Sequence, residues 1–91
     1  MKPLNCIIVD DDEMDRLVVV SYAKRFPQFN IVGIFDSAEK ALTFLDNNKI
    51  EVAFLDIEMP GASGIELRKK ALEIPVCVFV SSHTESAAET F

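Results

Sequence analysis

The chain has 91 residues, 49% of them apolar and 26% charged, which is room for one small domain (domains commonly run to about 100–150 residues) and too apolar for a disordered tail. Fifteen acidic against nine basic residues leave a formal charge of −6, which disfavours non-specific attachment to nucleic acid or to an anionic lipid surface. No apolar run approaches the roughly 18 residues of a membrane span. Met1-Lys2-Pro3-Leu4 lacks the long apolar stretch of a secretory signal, and Cys6 and Cys77 sit in separate apolar runs without metal-ligand spacing, as buried thiols in a reducing cytoplasm would.

Along the chain, apolar runs of strand length alternate with helical periodicity. Leu4–Val9 is apolar except for Asn5, and its β-branched Ile7, Ile8 and Val9 favour a buried strand. Over residues 13–26, Met14, Leu17, Val18, Tyr22 and Phe26 recur at steps of three and four and predict a helix packed on that face, stopped by Pro27. Phe29–Phe35 reads as a second strand. A second helix carries Ala38, Ala41, Leu42 and Leu45, with Asp36 and Glu39 spaced as a capping box. Residues 51–55 form a third strand ending at Asp56, followed by a loop punctuated by Pro60, Gly61 and Gly64. Ser63 and Glu66 then open a third helix through Ile65, Leu67, Ala71 and Leu72. Pro75 resets the chain for a fourth strand, Val76–Val80, and residues 84–91 read as the first turns of a fourth helix capped by Thr84. Such alternation implies a parallel sheet with helices on both faces, and strands almost free of polar residues fit burial on both sides.

In an open parallel sheet, ligand chemistry collects beyond the carboxyl ends of the strands. The first strand ends in Asp10-Asp11-Asp12, the third in Asp56 and the fourth in Ser81-Ser82. Neighbouring strands lie about 4.8 Å apart, so acids on adjacent strand ends can share one ion. Clustered carboxylates repel, and a hard cation with oxygen ligands, Mg²⁺ above all, relieves that repulsion. A carboxylate beside it can attack a phosphoryl group, and the Ser81 hydroxyl can hydrogen-bond one of the transferred oxygens. The residues thus suggest phosphoryl transfer onto an aspartate, with Asp56 expected at the surface of its strand end.

Ile7-Ile8-Val9-Asp10-Asp11, together with Phe54-Leu55-Asp56-Ile57-Glu58-Met59-Pro60 and Ser63-Gly64, resembles the receiver domain of bacterial two-component response regulators over essentially the whole chain. The likeness implies an α/β, flavodoxin-like, doubly wound parallel sheet of strand order 2-1-3-4-5. Residues 1–91 read as one receiver domain of order 2-1-3-4, incomplete at its C-terminus, because the family continues into a fifth strand, a lysine and a fifth helix. None of Lys2, Lys24, Lys40, Lys49, Lys69 and Lys70 stands where that lysine would. The resemblance further implies Asp56 as phospho-acceptor, Mg²⁺ held by Asp11 directly and by Asp10 mainly through water, and Asp56 and the Glu58 backbone carbonyl completing the metal shell. Ser81 matches the family's switch hydroxyl, and His83 and Glu58 resemble positions that influence dephosphorylation.

Also implied are a sensor histidine kinase as donor, an output domain or partner as reader, and self-phosphorylation chemistry without enzymatic turnover. The ending, with Glu85, Ala87, Glu89 and Phe91, is similar to receivers that precede LytTR-type DNA-binding domains, so nucleic acid would be contacted by that output domain rather than directly. A fourth strand without an outer neighbour would expose an apolar edge and favour a homodimer.

Simpler readings stand beside these. Glu13 and Asp15 suit a solvated first turn, favourable with the helix dipole, and Asp12 suits a helix cap. Cys6 and Cys77, two strand spacings apart, lie beyond disulfide reach. Two other functions compete. One is a haloacid-dehalogenase-like phosphohydrolase using Asp10 and Asp12, against which Met14 and the short chain count. The other is a phosphorylation-independent interaction fold.

Overall fold

The computed structural model describes residues 2–56, 67, 69 and 73–80. Six elements follow in order: β1 (Leu4–Val9), α1 (Glu13–Lys24), β2 (Phe29–Phe35), α2 (Ala38–Leu45), β3 (Val52–Asp56) and β4 (Val76–Val80). The strands form one parallel sheet in the order β2-β1-β3-β4, as the flavodoxin-like expectation requires. The expected third helix, apart from buried Leu67 and exposed Lys69, and the fourth helix opening at Thr84 lie outside the described residues.

Both faces of β1 are covered, so Cys6, Ile7, Ile8 and Val9 are wholly inaccessible. Ile7 and Val9 join Ala38 and Ala41 of α2, Ala53 and Leu55 of β3, and Ile50, Leu67 and Ile74 in one core. Ile8 points the other way and packs with Val19, Val20 and Ala23 of α1, flanked by Phe29, Ile31, Phe54 and Val80. Alternate side chains of one strand therefore anchor two separate layers, the period of two expected of a strand buried on both sides. Cys6 and Cys77 are not joined by a disulfide. Cys6 aligns with Val52 and Cys77 with Ala53, so the two cysteines leave opposite faces of the sheet.

Two details of α1 and α2 differ from the sequence reading. The face of α1 marked by Met14, Leu17, Val18, Tyr22 and Phe26 is exposed, with Met14 at 72% and Leu17 at 57%, and the buried arc is Val19, Val20 and Ala23. This helix is apolar on nearly opposite arcs, and periodicity cannot choose between them. Its roll is fixed by the short connection from β1 and by Asp12, whose carboxylate caps the helix at the Asp15 N–H (2.9 Å). The small Ala23 also lets the helix approach the sheet closely. In α2 the cap is Ser37, accepting from the Lys40 N–H (3.3 Å), rather than Asp36. Asp36 instead pairs with the Lys40 ammonium at 2.9 Å, which holds its carboxyl below the usual range.

β2 carries an irregularity that the sequence did not announce. Cys6 aligns with Ile31 but Ile7 with Gly33, leaving Val32 as an extra residue. The bulge reverses the alternation. Phe29 and Ile31 face the α1 layer, whereas Phe35 reaches the α2 layer and packs on Phe44 with ring centroids 5.2 Å apart. A Cβ at Gly33 would stand 2.7 Å from the Phe35 ring, so a larger residue there would have to push that ring aside.

The exposure pattern separates the two arcs of α1 energetically. Ile8→Ala, which empties a fully buried site, is expected to cost about 2–5 kcal/mol in chemical denaturation, whereas Leu17→Ala on the exposed arc should stay within about 0.5 kcal/mol. Equal losses would show that the exposed arc is in fact packed.

Candidate functional site

The register of β1 with β3 builds the site. Val9 aligns with Leu55, so one residue further on, Asp10 and Asp56 stand side by side at the carboxyl end of the sheet. Asp11 follows Asp10 out of the strand. One carboxylate oxygen from each of Asp10, Asp11 and Asp56 lies within 4.8 Å of the others. Asp56 thus meets the adjacent pair Asp10 and Asp11 from a distant point in the sequence. Their burial is not as expected, because Asp56 and Asp10 are each only 1% exposed and Asp11 alone reaches solvent. Asp56 therefore lies beneath the rim rather than on it.

The segment joining β1 to α1 is held through Asp10 and Asp12. The Asp10 N–H donates to the Phe35 carbonyl (3.0 Å), and Asp10 Oδ1 accepts from the Asp12 N–H (2.9 Å). The Asp10 carbonyl accepts from Arg16 Nη1 (2.8 Å). Asp10 Oδ2 is buried and accepts no hydrogen bond among the described residues. Burial pushes the Asp10 carboxyl above the ordinary carboxylate range. The Asp12 N–H and a contact with the Asp56 carboxyl offset part of this, and the charges of Asp15 and Asp11 add to it. A buried, under-coordinated oxygen within a group of three carboxylates is a donor set that suits a hard divalent cation. By the same token the metal-free cluster is a site of repulsion.

Asp12 is engaged as the cap of α1, which leaves the Asp10/Asp12 pair of the hydrolase reading without its second partner. Glu58, Ser81 and His83 lie outside the described residues. Arg16, which the sequence reading passed over, is the cationic side chain that reaches the site's backbone. Only its position six residues after Asp10, on the sheet-facing side of a helix, could have marked it. A groove of about 460 Å³ lined by residues 45–50, Glu73 and Ile74 opens at the amino ends of β3 and β4, on the opposite rim from the acids.

The family profile of the response regulator receiver domain matches residues 6–90. The chain belongs to that family. It is 32% identical over 91 residues to the transcriptional regulatory protein YpdB of Escherichia coli K12 and 31% identical to the sensory transduction protein LytT of Bacillus anthracis, in each case over 97% of this chain. The chain spans 37% of the length of either relative. Among solved structures, the response regulatory domain of protein mrkE from Klebsiella pneumoniae superposes with a TM-score of 0.79 at 32% identity, covering 97% of this chain and 75% of that one. The signal receiver domain of the response regulator NarL from Mycobacterium tuberculosis gives 0.77 at 28% identity, covering 96% and 73%. Among the described residues no helix is long and apolar enough to cross a membrane.

The strain at Asp10 has a measurable sign. A carboxyl whose folded pKa lies above its unfolded value stabilises the fold fully below the unfolded value and loses that contribution as pH rises through the folded one. In metal-free buffer Asp10→Asn is therefore expected to melt above the wild type at pH 7, with the gap closing toward pH 4. Thermal melts of both proteins across that range check it, and a variant less stable at every pH would show that the Asp10 charge supports the fold.

Proposed function

We propose that this domain is a phospho-accepting signalling receiver in which Asp56 takes a phosphoryl group from a sensor histidine kinase. The observation that carries the reading is the convergence of Asp10, Asp11 and Asp56 within 4.8 Å, two of them buried. Asp10, Asp11, Asp56 and the Glu58 backbone carbonyl would hold Mg²⁺, which when bound neutralises the carboxylates and the oxygens of the incoming phosphoryl group. An Asp56 carboxylate oxygen attacks phosphorus, and the P–N bond of the donor phosphohistidine breaks. The leaving imidazole nitrogen keeps the electron pair and is protonated from solvent. Asp10 and Asp11 fix the position at which charge is compensated, and Ser81 would hydrogen-bond a phosphoryl oxygen and carry the change outward. In this reading the domain is consumed stoichiometrically and does not turn over, and it acts in the cytoplasm. An output domain would read the phosphorylated state, one acting on transcription if it follows the relative named a transcriptional regulatory protein.

Self-association belongs to the same proposal. β4 ends the sheet among the described residues, and Val76, Val78 and Phe79 are 49%, 39% and 43% exposed. An apolar edge of this kind pairs readily with a second copy about a two-fold axis. For a chain shown by intact mass to hold these 91 residues alone, light scattering is expected to give a dimer mass at high concentration, and a strict monomer there would remove the pairing.

Incubation with acetyl phosphate and Mg²⁺, followed by mapping of the acid-labile adduct, tests the main reading. Label is expected on Asp56 and absent from a folded Asp56→Asn. Label on Asp10 would favour the hydrolase, and no label the interaction fold. Mg²⁺ at a hundred times its Kd should stabilise the domain by about 2.7 kcal/mol, a rise of about 10–20 °C in Tm at this size, and Asp11→Asn should forfeit most of that rise.

A further inference from the structure

Of the three clustered acids, Asp11 is the one that packing does not hold. It is exposed, and among the described residues its carboxylate accepts no hydrogen bond. Its direction must come from the backbone that presents it. The Asp10 carbonyl and the Asp11 N–H share one planar peptide unit, so holding the oxygen also fixes the plane from which the Asp11 Cα departs. Arg16 Nη1 donates to that oxygen at 2.8 Å from the first turns of α1. Arg16 is itself half-buried. Its helix is anchored to the same segment by the Arg16 N–H on the Asp12 carbonyl (2.9 Å) and by the Asp12 cap. The preceding Val9–Asp10 peptide unit is pinned separately by the Asp10 N–H on the Phe35 carbonyl (3.0 Å).

We propose that Arg16 is a positioning residue for the acidic site, bracing the Asp10–Asp11 peptide so that the Asp11 carboxylate is held toward Asp10 and Asp56. The inference rests on the reading of that cluster as a divalent-cation site. Charge alone makes the opposite prediction to bracing. A guanidinium near a cation site repels the cation, so its removal would tighten binding, whereas loss of the brace must loosen it. Supporting groups one step removed from a metal commonly change its affinity by about 10–100-fold.

The test is calorimetric titration of Mg²⁺ into the wild type, Arg16→Gln and Arg16→Met, with amide exchange of Asp12 followed in metal-free protein. The expected result is about tenfold weaker Mg²⁺ binding in Arg16→Met, a smaller loss in Arg16→Gln, which keeps a donor, and faster exchange at Asp12 while core amides remain protected. Unchanged or tighter Mg²⁺ binding in both folded variants would overturn the proposal. Should the wild type itself bind no Mg²⁺, the metal reading fails, and the exchange arm still decides the brace: unaltered protection at Asp12 in Arg16→Met would remove it. If Arg16→Met does not fold, Arg16→Gln carries the same comparison.

Discussion

Two carboxylates buried side by side at the ends of the central strands are the constraint around which the domain is arranged. Ionised acids are costly to remove from water, and Asp10 and Asp56 are nonetheless 1% exposed. The Asp12 N–H on Asp10 Oδ1 supplies part of what solvent cannot, while the Arg16 guanidinium on the Asp10 carbonyl and the Asp10 N–H on the Phe35 carbonyl hold the main chain in place. What those donors leave uncompensated, a cation or a proton must supply. A site kept short of positive charge in this way is primed to respond when its charge changes.

The position of these acids depends on register, which is set at the opposite rim. The Asn5 N–H donates to Glu51 Oε2 (2.8 Å), and the Glu51 N–H donates back to the Asn5 carbonyl (3.0 Å). Asn30 Nδ2 extends the ladder to Asn5 Oδ1 (3.0 Å). Three parallel strands are thereby aligned at their amino ends, and a slip of one residue would turn every side chain to the wrong face. It would also carry Asp56 away from Asp10. The apolar runs between the two rims supply cohesion, but the polar ladder at one end places the chemistry at the other.

The exposed arc of α1 lies on the element that also carries the cap and the brace of the site. Tyr22 is 58% exposed, with the Arg25 guanidinium 5.2 Å from its ring centroid. The helix thus has a sheet-facing side devoted to packing and a solvent side that stays apolar.

The sequence by itself determined the alternation of strands and helices and the acids at the strand ends, because buried strands must be apolar and the residues at their carboxyl ends are free to be otherwise; the strand order followed only from the family resemblance. Asp12 as helix cap was legible for a similar reason, since a short acceptor just before an amphipathic run has one local use. Only tertiary structure decided which arc of α1 faces the sheet, because two apolar arcs satisfy the same periodicity and the Asp10–Asp12 connection chooses between them. The bulge at Val32, the burial of Asp56 and the reach of Arg16 to the Asp10 carbonyl likewise depend on contacts between segments distant in the chain or in the helix turn. Spacing along a sequence records which residues can share a face; how deeply that face is buried, and which backbone atoms it holds, is settled by the elements packed against it.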